Sequence, residues 1–256
     1  MEINLANFAD TAEIRWLWDI AFPEEPDFNN WFFDNYFKAE YCLVLRDNGI
    51  IKAMAQLLPY EIKGIGRVSY IYGAATHPDY RKQGLMSRLL KHSFELDRQR
   101  GFAASVLIPQ NRGLFDFYAK LGYKTTFYVD NIPTLECNTA GYSVRDAQND
   151  DIPFMNRLYE STQTNFIVRD YDYWKFQLEM FRACGGSVYI LMRGSERAAY
   201  GFLNDDYLQE SFGESNVLAN LVGAKSYVNV GGSVPIGMAY CYGSELQSMY
   251  MNMMFN

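Results

Sequence analysis

Histidine is almost missing from this chain: His77 and His92 are the only two in 256 residues. A metal site or catalytic centre built from several histidines is therefore excluded. Cysteine is sparse as well. Cys42, Cys137, Cys184 and Cys241 lie far apart with no CxxC pair, so they read as isolated thiols and no metal is expected. No stretch approaches the roughly 20 apolar residues of a membrane helix. The opening MEINLANFAD carries acids and no basic segment ahead of an apolar core. The expectation is a cytoplasmic protein without a membrane partner. Positive charge is in deficit, with 23 Lys and Arg against 30 Asp and Glu and a net charge of -7. That disfavours a nucleic-acid partner, whose phosphates reward basic surfaces.

What is abundant points to a folded globular chain. Hydrophobic residues make up 49% and charged residues 21%, a globular balance. The length suits one large or two smaller domains. Ile14, Leu17 and Trp18 fall at helical spacing after an Asp10-Thr11 cap, and a second, aromatic-rich helix is expected over 31–37. Strands follow at 41–45 and 51–57, joined by the hairpin turn Asn48-Gly49. Another strand spans 68–75. Leu85, Met86, Leu89, Leu90 and Phe94 form one helical stripe that stops at Gly101. A strand at 102–108, a helix at 114–121 and a last strand at 124–129 complete a mixed α/β pattern, with a crossover through the long helix.

A linker is expected over 131–142. Beyond it the beginning returns in degenerate form. Val144 and the Asp150-Asp151 cap repeat the opening, Tyr173-Trp174 echoes Asn30-Trp31, and Val188–Arg193 echoes Cys42–Arg46, all at offsets near 140 to 147. The expected organisation is two domains, 1–132 and 133–256.

One stretch carries chemistry. Between the strand ending at Ala75 and the helix opening at Leu85 lies Thr76-His77-Pro78-Asp79-Tyr80-Arg81-Lys82-Gln83-Gly84. Free N–H groups at a helix start, helped by the helix dipole, bind phosphate oxygens. Gly84 has no Cβ to bar such a group. From His77 to His92 there are four basic residues, Arg81, Lys82, Arg88 and Lys91, against the single acid Asp79. A local charge of about +3 within an acidic protein suits an anionic ligand. Neither GxxxxGK[ST] nor GxGxxG occurs, which argues against a nucleotide P-loop.

This stretch resembles the acyl-CoA signature of the GNAT N-acetyltransferases, a strand, a His-Pro-x-Tyr-Arg turn and a [QR]-x-x-G-x-[GA] helix start. Arg81 and Gly84 match; Met86 departs from the usual Gly or Ala. Asn111 and Tyr118, within Asn111-Arg112-Gly113-Leu114-Phe115-Asp116-Phe117-Tyr118-Ala119-Lys120-Leu121-Gly122-Tyr123, resemble the family's N-x6-Y-x3-G-[FY] ending. The departure at Met86 and the tandem arrangement are similar to the enhanced-intracellular-survival branch. The resemblance covers residues 1 to 132; neither signature occurs in the second half.

The resemblance implies an α/β fold: a GNAT domain with a mixed, mostly antiparallel sheet, then a degenerate GNAT-like half. It implies acetyl-CoA as cosubstrate and a small-molecule or peptide amine as acceptor. The backbone of Ala74, Ala75 and Thr76 would bond the pantetheine arm. The N–H groups of Gln83, Gly84, Leu85 and Met86 would hold the pyrophosphate, with Arg81 and Lys82 adding charge. Asn111 would contact pantetheine, and Tyr118 would protonate the departing thiolate. The base is open among Glu24, Glu25, Asp27 and the terminal carboxylate of Asn256, His77 reading as structural. A non-catalytic acyl-CoA sensor and a tRNA-dependent aminoacyl transferase are the rivals; the net charge speaks against the second.

Overall fold

The computed structural model describes residues 1–23, 26–161, 165–243 and 251. Glu24, Glu25 and Asn256, three of the expected base candidates, lie outside the described residues. By their contacts the residues separate into two compact units: Met1–Thr125 with the described residues 237–243, and Thr126–Ile236.

The first unit contains β1 (Glu2–Leu5), α1 (Thr11–Ala21), α2 (Pro26–Asn35), β2 (Cys42–Asp47), β3 (Ile50–Ile62), β4 (Gly66–Thr76), α3 (Leu85–Gln99), β5 (Ala104–Leu107) and α4 (Arg112–Ala119). The strands lie in chain order, antiparallel except for β4 and β5, which run parallel. This is the expected mixed, mostly antiparallel sheet. Asn48 (φ 52°) and Gly49 (φ 80°) make the expected hairpin turn between β2 and β3. The start of the first helix differs from expectation. Asn7 caps a 3-10 turn over Phe8–Asp10, and Asp10 bonds back to the Asn7 N–H, so Asp10 belongs to a capping box one turn upstream. The second helix opens at Pro26, a residue suited to the first turn because it lacks an N–H.

Alternation along β2 divides the core. Leu43 and Leu45 face α3, where Leu85, Leu89, Leu90 and Phe94 meet them with Ala53, Leu57 and Ile71. Cys42 and Val44 face α1 and α2, where Ile14, Leu17, Trp18 and Phe32 cover them. A strand covered on both sides reads as a continuous apolar run, as Cys-Leu-Val-Leu does. Each such fully buried side chain contributes about 1.5–3 kcal/mol.

The last strand of this unit departs from the expected one. Residues 238–241 of β12 (Val234–Cys241) pair antiparallel with β5, Met238 opposite Leu107 and Cys241 opposite Ala104. The strand that follows α4, β6 (Lys124–Pro133), pairs instead with β11 (Ser226–Val230) in the second unit. Strand pairing is decided by which edge is available, and all four β5 residues are buried, so an edge there needs a partner.

The second unit repeats the order of elements: β7 (Tyr142–Asp146), α5 (Ile152–Ser161), α6 (Tyr171–Ala183), β8 (Ser187–Arg193), β9 (Glu196–Asn204), β10 (Tyr207–Gly213), α7 (Ser215–Val222) and β11. Its sheet runs β6-β11-β10-β9-β8-β7. Gln148 and Asp151 form a capping box like that of Asn7 and Asp10. In the first unit Trp18 Nε1 donates to Asn29 Oδ1 from α1 to α2; in the second, Trp174 Nε1 on α6 donates to Asn156 Oδ1 on α5. The expected linker is shorter than 131–142, because Asn131–Pro133 are still strand. The connection then passes along α7, where Asn216 bonds both the N–H and the carbonyl of Leu135.

Candidate functional site

The informative feature of the first unit is a parting of strands. β4 and β5 pair only from Val68–Ala104 to Tyr70–Val106. β5 ends at Leu107, while β4 continues to Thr76 with β3 on its other side. The cause is local. Met54 pairs with Ala75 and Gln56 with Tyr72, so Gly73 and Ala74 together oppose Ala55. That is a β-bulge, which bends its strand and raises its twist. Gly73 sits at φ 54°, and a Cβ there would lie 2.0 Å from the Trp18 ring. Trp18, stacked on Phe32 at 4.8 Å, thus presses on a position that only glycine fills.

The turn beyond the bulge is braced by its own side chains. His77 N–H donates to the Lys52 carbonyl at 2.9 Å, ending the strand. The Asp79 N–H donates to His77 Nδ1 at 3.2 Å, so this imidazole braces the turn, as the structural reading expects. Arg81 Nε donates to the Thr76 carbonyl at 3.2 Å and closes the loop. Lys82 (φ 62°) and Gly84 (φ 74°) are both left-handed. Left-handed residues alternating with right-handed ones can turn successive N–H groups to one side, the backbone pattern of a nest. A non-glycine residue in that region costs of order 1–3 kcal/mol and is concentrated at functional sites. Gly84 is the N-cap of α3; its carbonyl accepts from Arg88, and the first turn carries no acid. A Cβ on Gly84 would meet nothing within 4 Å, so the space in front of the nest is open.

The expected site residues fall into two groups. Ala74, Ala75 and Thr76 form the end of β4, and Arg81, Lys82, Gln83, Gly84, Leu85 and Met86 form the turn and the first helical residues. Arg81 to Gly84 are exposed; Leu85 is buried against Leu89 and Leu90, and Met86 packs at the edge of the same cluster. Asn111 and Tyr118 bracket α4. Asn111 is its N-cap: Oδ1 accepts from the Leu114 N–H at 3.1 Å, leaving the Nδ2 group as donor. Tyr118 is 7% exposed and belongs to the cluster that contains Leu85 and Leu107. Burial pushes its phenol up to about 12. Asp27 is exposed in the first turn of α2.

Pattern reading gave Tyr123 only as the end of a motif and missed Met238 and Tyr240. Tyr123 meets the Tyr118 ring edge-on at 5.6 Å, and its hydroxyl hydrogen-bonds Ser105 Oγ at 2.7 Å, tying it to β5. Met238 and Tyr240, from the far end of the chain, pack in the same cluster. The Gly-Tyr dipeptide after α4 hints at the first; nothing local signals the other two.

The second unit keeps the parting but not the nest. β10 and β11 pair only at Tyr207–Ser226 and Leu208–Tyr227. Past that point Glu210 is wholly buried, gripped through both oxygens by Arg169 at 2.7 and 2.8 Å, with Tyr200 donating at 3.0 Å. Arg169 lies over the rings of Tyr159 (4.0 Å) and Trp174 (4.6 Å). The helix after β10, α7, has Glu214 at its N-cap, ion-paired to Arg193 and accepting from the Tyr142 hydroxyl.

A sheet whose parallel strands part at a left-handed turn that opens a helix is the arrangement expected of the acyltransferase fold. Residues 2–126 match the family model described as an acetyltransferase (GNAT) domain. Among solved structures, a conserved protein of Enterococcus faecalis V583 titled a probable N-acyltransferase is similar. Its TM-score is 0.72 at 15% identity, covering 94% of this chain and 72% of that one. Eis1 from Mycobacterium abscessus is similar with TM-score 0.63 at 13% identity, over 94% and 74%. A tandem GNAT protein from the clavulanic acid biosynthesis pathway is similar with TM-score 0.59 at 13% identity, over 95% and 100%. These likenesses show the fold. A comparison with curated protein sequences found no match. Among the described residues no helix is long and apolar enough to cross a membrane.

Proposed function

We propose that the first unit is an acetyl-CoA-dependent N-acyltransferase that moves an acetyl group directly to a primary amine. One observation carries the reading: the stretch of β4 that has parted from β5 leads into the left-handed turn at Lys82–Gly84. The residues suit the cosubstrate, since the room in front of Gly84 is open and the exposed charge beside it is basic. The backbone of Ala74, Ala75 and Thr76 holds the pantetheine arm, although the Thr76 carbonyl is shared with Arg81. The N–H groups of Gln83 to Met86 hold the pyrophosphate, Arg81 and Lys82 add charge, and Asn111 Nδ2 bonds pantetheine.

Acetyl-CoA supplies the thioester. A primary amine, with a pKa of about 10.4, must be neutral to attack. Tyr118 keeps its proton across the neutral range because burial holds its phenol up, and it gives that proton to the departing sulfur. The amine proton leaves to solvent or a carboxylate; Asp27 remains a candidate. The acceptor is a small-molecule or peptide amine, and the setting is cytoplasmic.

The second unit binds no acyl-CoA of its own, because Glu214 puts negative charge where an anion-binding helix start needs none. Calorimetric titration with acetyl-CoA should give one site per chain; two sites would overturn this part. Thiol release from acetyl-CoA across a panel of amines tests the whole reading. Saturable binding with no release on any amine would leave the sensor.

A further inference from the structure

The mouth of the donor site has a rim that a soluble coenzyme does not need. Trp16, on α1, is 50% exposed and lies against His77 at 5.3 Å; His77 meets Tyr80 at 5.2 Å. Lys52 stands over the Tyr80 ring at 4.2 Å and reaches Asp47 at 2.6 Å. Asp47 is paired across the hairpin with Ile50, which is 49% exposed. Trp16 and Ile50 thus stand at the two ends of one chain of contacts that passes through His77 and Tyr80 of the turn. Isolated exposed apolar residues are ordinary, but apolar anchors beside a functional mouth mark a docking surface.

The charge on this surface selects the partner. Arg81 and Lys82 occupy the turn, and Arg88 and Lys91 lie exposed one and two helical turns into α3. At 1.5 Å per residue, Lys91 is about 9 Å along the axis from Leu85. The whole chain carries -7, so this strip is a basic exception that would attract an acidic body. An acidic body that also belongs at this mouth is one that delivers a thioester.

We infer that the rim formed by Trp16, Ile50 and the basic face of α3 docks an acidic carrier protein bearing the acyl group on a phosphopantetheine arm. The inference rests on the acyl-transfer reading of the same turn. Carrier and coenzyme share the pantetheine and its phosphate; they differ in what lies outside the mouth, a protein surface or a nucleotide. The reaction balances without a further reactant: the carbonyl carbon–sulfur bond breaks, the carbon–nitrogen bond forms, and the carrier thiol leaves with a proton.

The experiment measures binding and turnover separately. A fluorescently labelled, phosphopantetheinylated acyl carrier protein of acidic helical type is titrated with the full chain and followed by anisotropy. Saturable binding in the micromolar range is expected, weakening at least tenfold from 50 to 300 mM salt. Ile50→Glu and Trp16→Glu should each weaken it tenfold or more, while the affinity for acetyl-CoA changes less than threefold. Circular dichroism checks that both variants fold. No saturation below 1 mM, or binding indifferent to both variants, overturns the inference. So does a dimer of the chain that Ile50→Glu dissolves, since a second copy would then own the surface. With an amine acceptor, the acetylated carrier should be used at least tenfold more efficiently than acetyl-pantetheine; equal use is also against it. Turnover of acetyl-CoA without carrier binding would defeat this inference alone. Carrier binding without turnover of any thioester would defeat the acyl-transfer reading alone.

Discussion

At Gly84 a single hydrogen atom in place of a side chain keeps the front of the nest clear. Gly84→Glu would place a Cβ at φ 74° and a carboxylate before the N–H groups. The expected loss in acetyl-CoA binding is at least about 2 kcal/mol, roughly thirtyfold in Kd. Titration calorimetry on a folded variant that bound as tightly as wild type would remove the assignment. At Tyr118 the Phe variant keeps the ring against Tyr123 and deletes only the hydroxyl. Turnover should fall roughly tenfold to a thousandfold with acetyl-CoA affinity changed less than about threefold, the signature of a group used only in the transition state. An unchanged rate, with chemistry shown to be limiting, would make Tyr118 a packing residue. Gly73→Ala tests the bulge. Its methyl would lie within 2.3 Å of two carbons of a buried tryptophan ring, so overpacking and left-handed strain add. A loss of about 2 kcal/mol or more is expected in urea unfolding; a midpoint within error of wild type would show that Trp18 can yield.

Elements bring together what residues alone do not. α3 carries the nest at its first residue and a buried carboxylate, Asp97, near its last turn. Burial pushes the Asp97 carboxyl up to about 6, against the opposing hydrogen bond that Tyr242 donates at 2.8 Å and the charge of Arg100. The native state therefore holds this proton more tightly than the unfolded chain, whose aspartates titrate near 3.9. The stabilisation is complete below about pH 4 and is lost as pH rises through about 6. Asp97→Asn should remove that dependence and leave the protein more stable at pH 7.5 by roughly 1–3 kcal/mol, with little difference at pH 4.5. Urea unfolding at the two pH values provides the measurement; parallel shifts of wild type and variant would contradict it. The same element logic separates the two halves. Gly84 caps α3, whereas a carboxylate, Glu214, caps α7, so only the second helix start carries a negative charge at its cap.

For the molecule as a whole, the two units are not two consecutive lengths of chain. β5 needs residues 238–241 as its neighbour, and β6 needs β11. A fragment of residues 1–132 would leave the buried β5 edge and the Phe94–Tyr123 cluster without Met238 and Tyr240. It should be poorly soluble or lack the near-ultraviolet circular dichroism of fixed tyrosines, and a soluble, monomeric, cooperatively unfolding fragment would disprove this dependence.

What the sequence by itself determined is the part made by neighbours in the chain. The strand, turn and helix from Ala74 to Met86, and the cap and tyrosine seven residues apart on α4, are contiguous, so residue type and spacing carry them. The repeated order of elements was legible for the same reason, in capping residues and apolar periods. The tertiary structure alone decided which strand closes which sheet. Residue 238 finds residue 107, and Arg169 finds Glu210 across 41 residues. It also decided that Gly73 must yield to Trp18. These are choices among competing edges and cavities, set by burial and hydrogen-bond completion over long separations, and no local period records them.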